Sequence, residues 1–194
     1  MNGGTAPPLQ SPECRDQVEI MSDTAVAPAN SMPRTIDPRA FRTALGRYPT
    51  GVAVVTALDA AGRPVGMTIN SFASVSLEPP LVLWSVQRTT PSSEAFRKAP
   101  RFAICVLAAD QEDMALRFAR TDENKFRDLT VETGLGGLPL IPGALATFEC
   151  RTWAVYPGGD HEILVGEVEQ LSTRPGAPLG FHGGRLLAFD TPQD

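Results

Sequence analysis

The chain has 194 residues, 42% of them hydrophobic, which is enough for one domain with its own core and no stabilising staples. A net charge of −5 and a pI near 5.1 argue against a general nucleic-acid or anionic-membrane surface. Its three cysteines, Cys14, Cys105 and Cys150, contain no C-x-x-C pair, which argues against structural zinc or thioredoxin-like chemistry and fits a reducing, cytoplasmic setting.

Residues 1–35 are rich in Pro, Ala, Ser and Gly and carry few large apolar side chains, so they are expected to form a disordered tail. No basic-then-apolar secretion signal opens the chain, and no apolar run approaches the roughly 20 residues of a membrane-spanning helix. A single folded domain is expected over residues 36–190. "IDPRAFRTALGRYPTG" predicts a helix capped by Asp37, with Phe41, Leu45 and Tyr48 on one face and Pro49 ending it. Residues 51–58 read as a buried strand, and "DAAGRP" turns into a partner strand from Val65 to about Ser76. Residues 81–86 form another buried strand, a short helix follows Pro91, and residues 101–107 form the next strand.

Asp110 is expected to cap a helix over residues 110–120, followed by a Gly/Pro-rich loop, "TVETGLGGLPLIPGA". Two long strands, residues 146–156 and 162–171, flank "PGGDH", and residues 185–189 close the domain with a short strand. These are about seven strands and three short helices. Most connections are too short for crossover helices, so the fold is expected to be mainly β, a mostly antiparallel barrel.

Several familiar chemistries have no support. G-x-S-x-G and the P-loop pattern are absent, and "GLGGLP" puts Pro139 where the third glycine of a dinucleotide fingerprint belongs. His161 and His182 are too far apart in sequence to be a local metal pair, and no metal site is expected. What stands out is "GMTINSFASVSLEPPLVLWSV", a strand-like run with hydroxyls and an amide but no charge before Glu78. A neutral polar edge beside an apolar wall suits a heterocycle bearing carbonyl and imide groups; it equally suits an edge strand facing water. "SVQRTTPSSEAFRK" then sets hydroxyls beside Arg88 at the start of a helix, which fits either a phosphate or an ordinary helix cap. His161 follows a glycine turn at the start of a strand, where it can orient a ligand, move a proton or merely shape the turn.

In this order, "YPTGVAVVTA", "GMTINSFASVSLEPPLVLWSV", "RFAICVL", "GDHEILVGEV" and "FHGGRLLAF" resemble the short-chain flavin reductases, the reductase components of two-component monooxygenases. The resemblance spans Phe41 to Phe189 and implies an FMN-binding split β-barrel with a Greek-key core, usually a homodimer. It implies flavin contacts at Thr68, Ile69, Asn70 and Ser71, with Ser85, Val86 and Gln87 from the next strand. Phosphate and ribityl contacts would fall on Arg88, Thr90 and Ser92. "RFARTDENKF" resembles a segment over the flavin and brings in Phe118, Ala119, Lys125 and Phe126. The Gly159–Asp160–His161 motif would lie near the nicotinamide, with His161 as the catalytic residue. "FHGGRL" resembles a C-terminal element that often has Tyr where Phe181 and Leu186 stand, leaving His182 and Arg185 as contacts. The implied reaction is hydride transfer from NADH or NADPH to FMN or FAD, which needs positioned cofactors and no nucleophile. Reduced flavin would then pass to a partner monooxygenase. The alternatives are a split-barrel protein that keeps its flavin for another acceptor, and a flavin-binding module without turnover.

Overall fold

A computed structural model of the chain describes residues 36–121 and 124–189; the expected tail, residues 1–35, lies outside the described residues. Helix α1 (Pro38–Leu45) begins where the Asp37 carboxylate accepts hydrogen bonds from the backbone N–H groups of Arg39 and Ala40. Then come strands β1 (Thr50–Gly51), β2 (Ala53–Leu58), β3 (Pro64–Ile69), β4 (Ala73–Leu77) and β5 (Pro80–Gln87). Helix α2 (Ser93–Lys98), strand β6 (Arg101–Val106) and helix α3 (Glu112–Ala119) follow. The remainder comprises β7 (Glu132–Thr133), β8 (Pro139–Leu140), the long hairpin β9 (Ala146–Gly158) and β10 (His161–Thr173), and the short hairpin β11 (Leu179–His182) and β12 (Arg185–Ala188).

Every strand pairing among these is antiparallel, in agreement with a mainly β fold. The main sheet has the order β3-β2-β6-β9-β10-β5-β4. β3 and β4 are therefore its two edges, yet only residues 70–72 separate them. A flat seven-stranded sheet would hold its edges about 29 Å apart at ~4.8 Å per strand. The four Cα steps from Ile69 to Ala73 span at most about 15 Å. The sheet must curl until its edges meet, and so becomes a barrel.

This geometry corrects the expected continuous strand from Val65 to Ser76. That run breaks at Asn70–Phe72, its first half pairing with β2 and its second half with β5. Ser71 holds the corner: its hydroxyl donates to the Ser85 carbonyl (3.3 Å) and accepts from the Ser85 N–H (3.1 Å). Three further expectations change. Residues 51–58 divide into β1 and β2 at Val52. Asp110 is not the α3 cap, since Gln111 holds that position without a side-chain cap bond. Its amide instead accepts from the Ala108 N–H and donates to the Pro142 carbonyl. The Gly/Pro-rich loop contains the small β7–β8 ladder and a 3-10 turn, Leu135–Gly137.

The barrel interior centres on Trp84, fully buried and edge-on to Phe96 (centroids 5.0 Å) and Phe102 (5.9 Å). β2 is buried nearly throughout, and Thr56 satisfies its hydroxyl by donating to the Pro139 carbonyl at 2.6 Å. A second apolar cluster, which includes Val52, Val54, Phe118 and Leu179, packs α3 and the β11–β12 hairpin against the barrel. Gly66 permits this packing, because a Cβ there would lie 2.6 Å from the Phe118 ring. Cys105 and Cys150 are buried free thiols, pushed up by burial to about 11 and about 12.

Candidate active site

A cavity of about 630 Å³ opens where the edge of the barrel, α3 and the β11–β12 hairpin converge. One wall is the corner strand: Thr68, Ile69 and Asn70. The second wall comes from Glu112, Ala115, Leu116 and Ala119, which share one face of α3 at i, i+3, i+4 and i+7. The third is the hairpin, where Phe181 and Leu186 are a cross-strand pair and Arg185 stands beside them. Thr68 donates its hydroxyl to the Ala115 carbonyl at 2.6 Å, which fixes α3 against the barrel. The site is thus mostly apolar, with Asn70, Thr68, Glu112 and Arg185 as its polar groups, and its volume lies within the ordinary range of ligand pockets.

A second polar group gathers at the far end of β5 and β10. His161 pairs with Gln87 on one side and Gly158 on the other, and Ile163 with Ser85 and Tyr156. Alternation along a strand puts Ser85, Gln87 and His161 on one face. The opposing face holds Val86 and Glu162. The β9–β10 turn consists of Gly159, with φ +71°, and Asp160, the glycine-first arrangement of a tight hairpin. The Asp160 carboxylate lies 2.7 Å from His161 Nδ1. An ionised carboxylate only accepts, so Nδ1 carries the proton and Nε2 of the neutral ring has a free lone pair. The hydrogen bond from His161 first, and the imidazolium charge when that ring is protonated second, hold the Asp160 carboxyl below its ordinary value.

The Arg88–Ser92 loop is tied down at both ends. The Arg88 N–H donates to the Asp160 carbonyl (3.0 Å), and the buried Ser93 donates its hydroxyl to the Arg88 carbonyl (3.0 Å). Ser92 occupies the α2 N-cap position without a side-chain cap bond, so the helix-cap reading of its hydroxyl does not hold.

The structure therefore brings Thr68, Ile69, Asn70, Ala119 and Arg185 to one cavity. It gathers Ser85, Gln87, Arg88, Asp160 and His161 at the strand end, with Ser71 bridging the two groups. Thr90 is half-buried in the loop after Arg88, and His182 is exposed opposite Arg185 rather than in the cavity wall. The side chains of Phe118 and Val86 are fully buried and belong to the core. Phe126 packs edge-on against Phe118, and Lys125 donates to the Gly66 and Phe118 carbonyls. Sequence reading missed Glu112, Ala115 and Leu116, although their helical spacing relative to Ala119 was available. Among the described residues there is no group of His, Cys, Asp and Glu placed to hold a metal ion.

Comparison with known proteins identifies the family. Residues 45–189 match the flavin reductase like domain. The chain is 52% identical over 151 residues to the FMN reductase (NADH) SmoA of Agrobacterium fabrum, covering 78% of this chain and 86% of that protein. It is 40% identical over 173 residues to HsaB of Rhodococcus jostii, the reductase subunit of a flavin-dependent monooxygenase (89% of this chain, 86% of that one). Among solved structures, the NADH:FAD oxidoreductase SgcE6 of Streptomyces globisporus, in complex with NAD and FAD fragments, superposes with a TM-score of 0.76. Its identity is 40%, over 82% of this chain and 98% of that one.

Proposed function

This chain belongs to the flavin reductase like domain family, and from that premise we propose that it transfers a hydride from NADH or NADPH to FMN or FAD. The single observation that carries the reading is the mostly apolar cavity set against the uncharged Thr68–Asn70 strand. Flavin supplies the redox chemistry when bound. Asn70 offers its amide at the cavity wall, where it makes no hydrogen bond to another described residue. Ile69, Ala119, Phe181 and Leu186 supply the apolar surface. The residues present fit the group: the neutral Asn70 amide beside an apolar wall, with the cation of the lining, Arg185, on the hairpin rather than on the strand. His161, oriented through Nδ1 by Asp160, presents Nε2 to hold the carboxamide of a nicotinamide or to move a proton there.

The reduced flavin is released to a monooxygenase, which is the role in which HsaB is named. We assign the chain to a homodimer as well. Phe41, Leu45 and Tyr48 of the α1 segment are all more than half exposed, and Leu77 at an edge of the main sheet is 93% exposed. No helix among the described residues is long and apolar enough to cross a membrane, and a cytoplasmic location fits two reduced thiols.

Gel filtration separates this reading from a flavoprotein that keeps its flavin. The protein should lose its yellow colour on the column and regain NADH oxidation when FMN or FAD is added. Retention of flavin with full activity would favour the prosthetic alternative. A sedimentation measurement giving only monomer at micromolar concentration would refute the dimer.

A further inference from the structure

Beneath the Arg88 loop lies a charged cluster of which the reading above uses only Arg88. Glu162 is buried, with only 12% of its side chain exposed, and two arginines from different elements converge on it. Arg97, in the last turn of α2, puts Nε 2.7 Å from Oε2; Arg88, after β5, puts Nε 3.6 Å from Oε1. The contact at Oε2 is close but not aligned as a hydrogen bond, so it is an ion pair. The two arginine side chains are 47% and 49% exposed.

Two cations held this close repel each other unless an anion lies between them, and Glu162 is that anion. Both arginines face it through Nε, which leaves terminal Nη donors of each planar guanidinium for a further partner. The trio keeps a net charge of +1 from its formal charges. The backbone of Arg88 is fixed by Asp160 and Ser93, so one guanidinium is set on a rigid loop and the other on a helix. Glu162 and His161 are neighbours on β10 and point to opposite sides of the strand. The cation pair therefore lies one strand thickness from the group that faces the nicotinamide.

We propose that Arg97 and Arg88 form a two-guanidinium clip for a phosphate of the bound nucleotide, with Glu162 as the positioning residue that keeps them side by side. This rests on the flavin reductase reading and adds Arg97 and Glu162 to it. The phosphate can come from the flavin or from the nicotinamide nucleotide, because both present the same bidentate oxygens.

The test measures KM for riboflavin and FMN, and for reduced nicotinamide riboside, NADH and NADPH, in wild type, Arg97→Gln, Arg88→Gln and Glu162→Gln. Arg101→Gln is the control; that arginine pairs with Glu169 (2.7 Å) on another part of the sheet. Arg97→Gln should raise KM for the phosphorylated member of one series about tenfold, leave its unphosphorylated counterpart within about twofold and leave kcat unchanged. A shift confined to FMN assigns the phosphate to flavin; one confined to NADH or NADPH assigns it to the nicotinamide. Glu162→Gln should move the same ratio in the same direction, and Arg101→Gln should move neither. If Arg97→Gln lowers thermal stability but leaves every ratio unchanged, the cluster is purely structural and the proposal fails. A wild type without flavin reduction would overturn the underlying reading instead.

Discussion

Ser71→Ala is the sharpest probe of how the barrel closes. The hydroxyl removed by this change both donates to and accepts from the backbone of Ser85, tying the corner between the two sheet edges to β5. Each such bond is worth about 0.5–1.5 kcal/mol net, and the Ser85 groups left behind are only half-buried, so water recovers part of the loss. The expected destabilisation is about 2 kcal/mol. For a domain of this size that corresponds to a Tm fall of roughly 4–8 °C. Because Asn70 precedes Ser71 at the cavity wall, loosening the corner should also raise KM for flavin severalfold. The assay is urea and thermal unfolding beside steady-state kinetics, with Ser74→Ala, exposed on β4, as the comparison. A Ser71→Ala protein as stable as Ser74→Ala, with unchanged KM, would refute the closure argument.

Asn70→Ala should separate binding from stability, raising KM for flavin about tenfold while unfolding stays within about 0.5 kcal/mol of wild type, since the side chain is exposed. His161→Ala should lower kcat without abolishing flavin binding; complete loss of binding would contradict its placement at the nicotinamide. Asp160 is held below its ordinary value when folded, so the Asp160–His161 contact favours the folded state above the normal aspartate range. That contribution disappears as pH falls through the lower folded value, and Asp160→Asn should remove this acid dependence in a pH titration of unfolding. Gly66→Ala should destabilise by about 1–3 kcal/mol, because the added methyl meets the Phe118 ring; calorimetry reads this directly. Iodoacetamide at neutral pH should leave Cys105 and Cys150 unlabelled in the native protein and label both in denaturant, as peptide mass spectrometry would show.

Much of this architecture was legible in the sequence. The β-branched run of β2, the Asp37 cap of α1 and the long β9–β10 hairpin follow from local pattern, whereas α1 ends at Leu45 with Gly46 as its C-cap, ahead of the expected stop at Pro49 and without Tyr48. The neutral segment was read correctly as unusual, yet its meaning required the three-dimensional closure. Thr68 and Ser71 direct their hydroxyls to the backbones of Ala115 and Ser85 and so build the corner that presents Asn70, while Ser76 directs its own to Glu78 at the β4–β5 turn. Sequence periodicity cannot reveal that a strand divides between two sheet edges, because both halves keep the same alternation. The β11–β12 hairpin was half seen, although Gly183–Gly184, at φ +58° and +82°, carries the signature of a tight turn. Glu162, a single charged residue inside a strand, acquires this meaning only when Arg88 and Arg97 are seen against it.

The central claim is hydride transfer between two bound nucleotides at this site. Anaerobic stopped-flow mixing of the protein and FMN or FAD with NADH or NADPH tests it most directly, with the nicotinamide deuterated at the transferring carbon in a second run. Flavin colour should bleach in step with nicotinamide oxidation, one for one, and more slowly with deuterium. Flavin that stays oxidised with both nicotinamides would contradict the account.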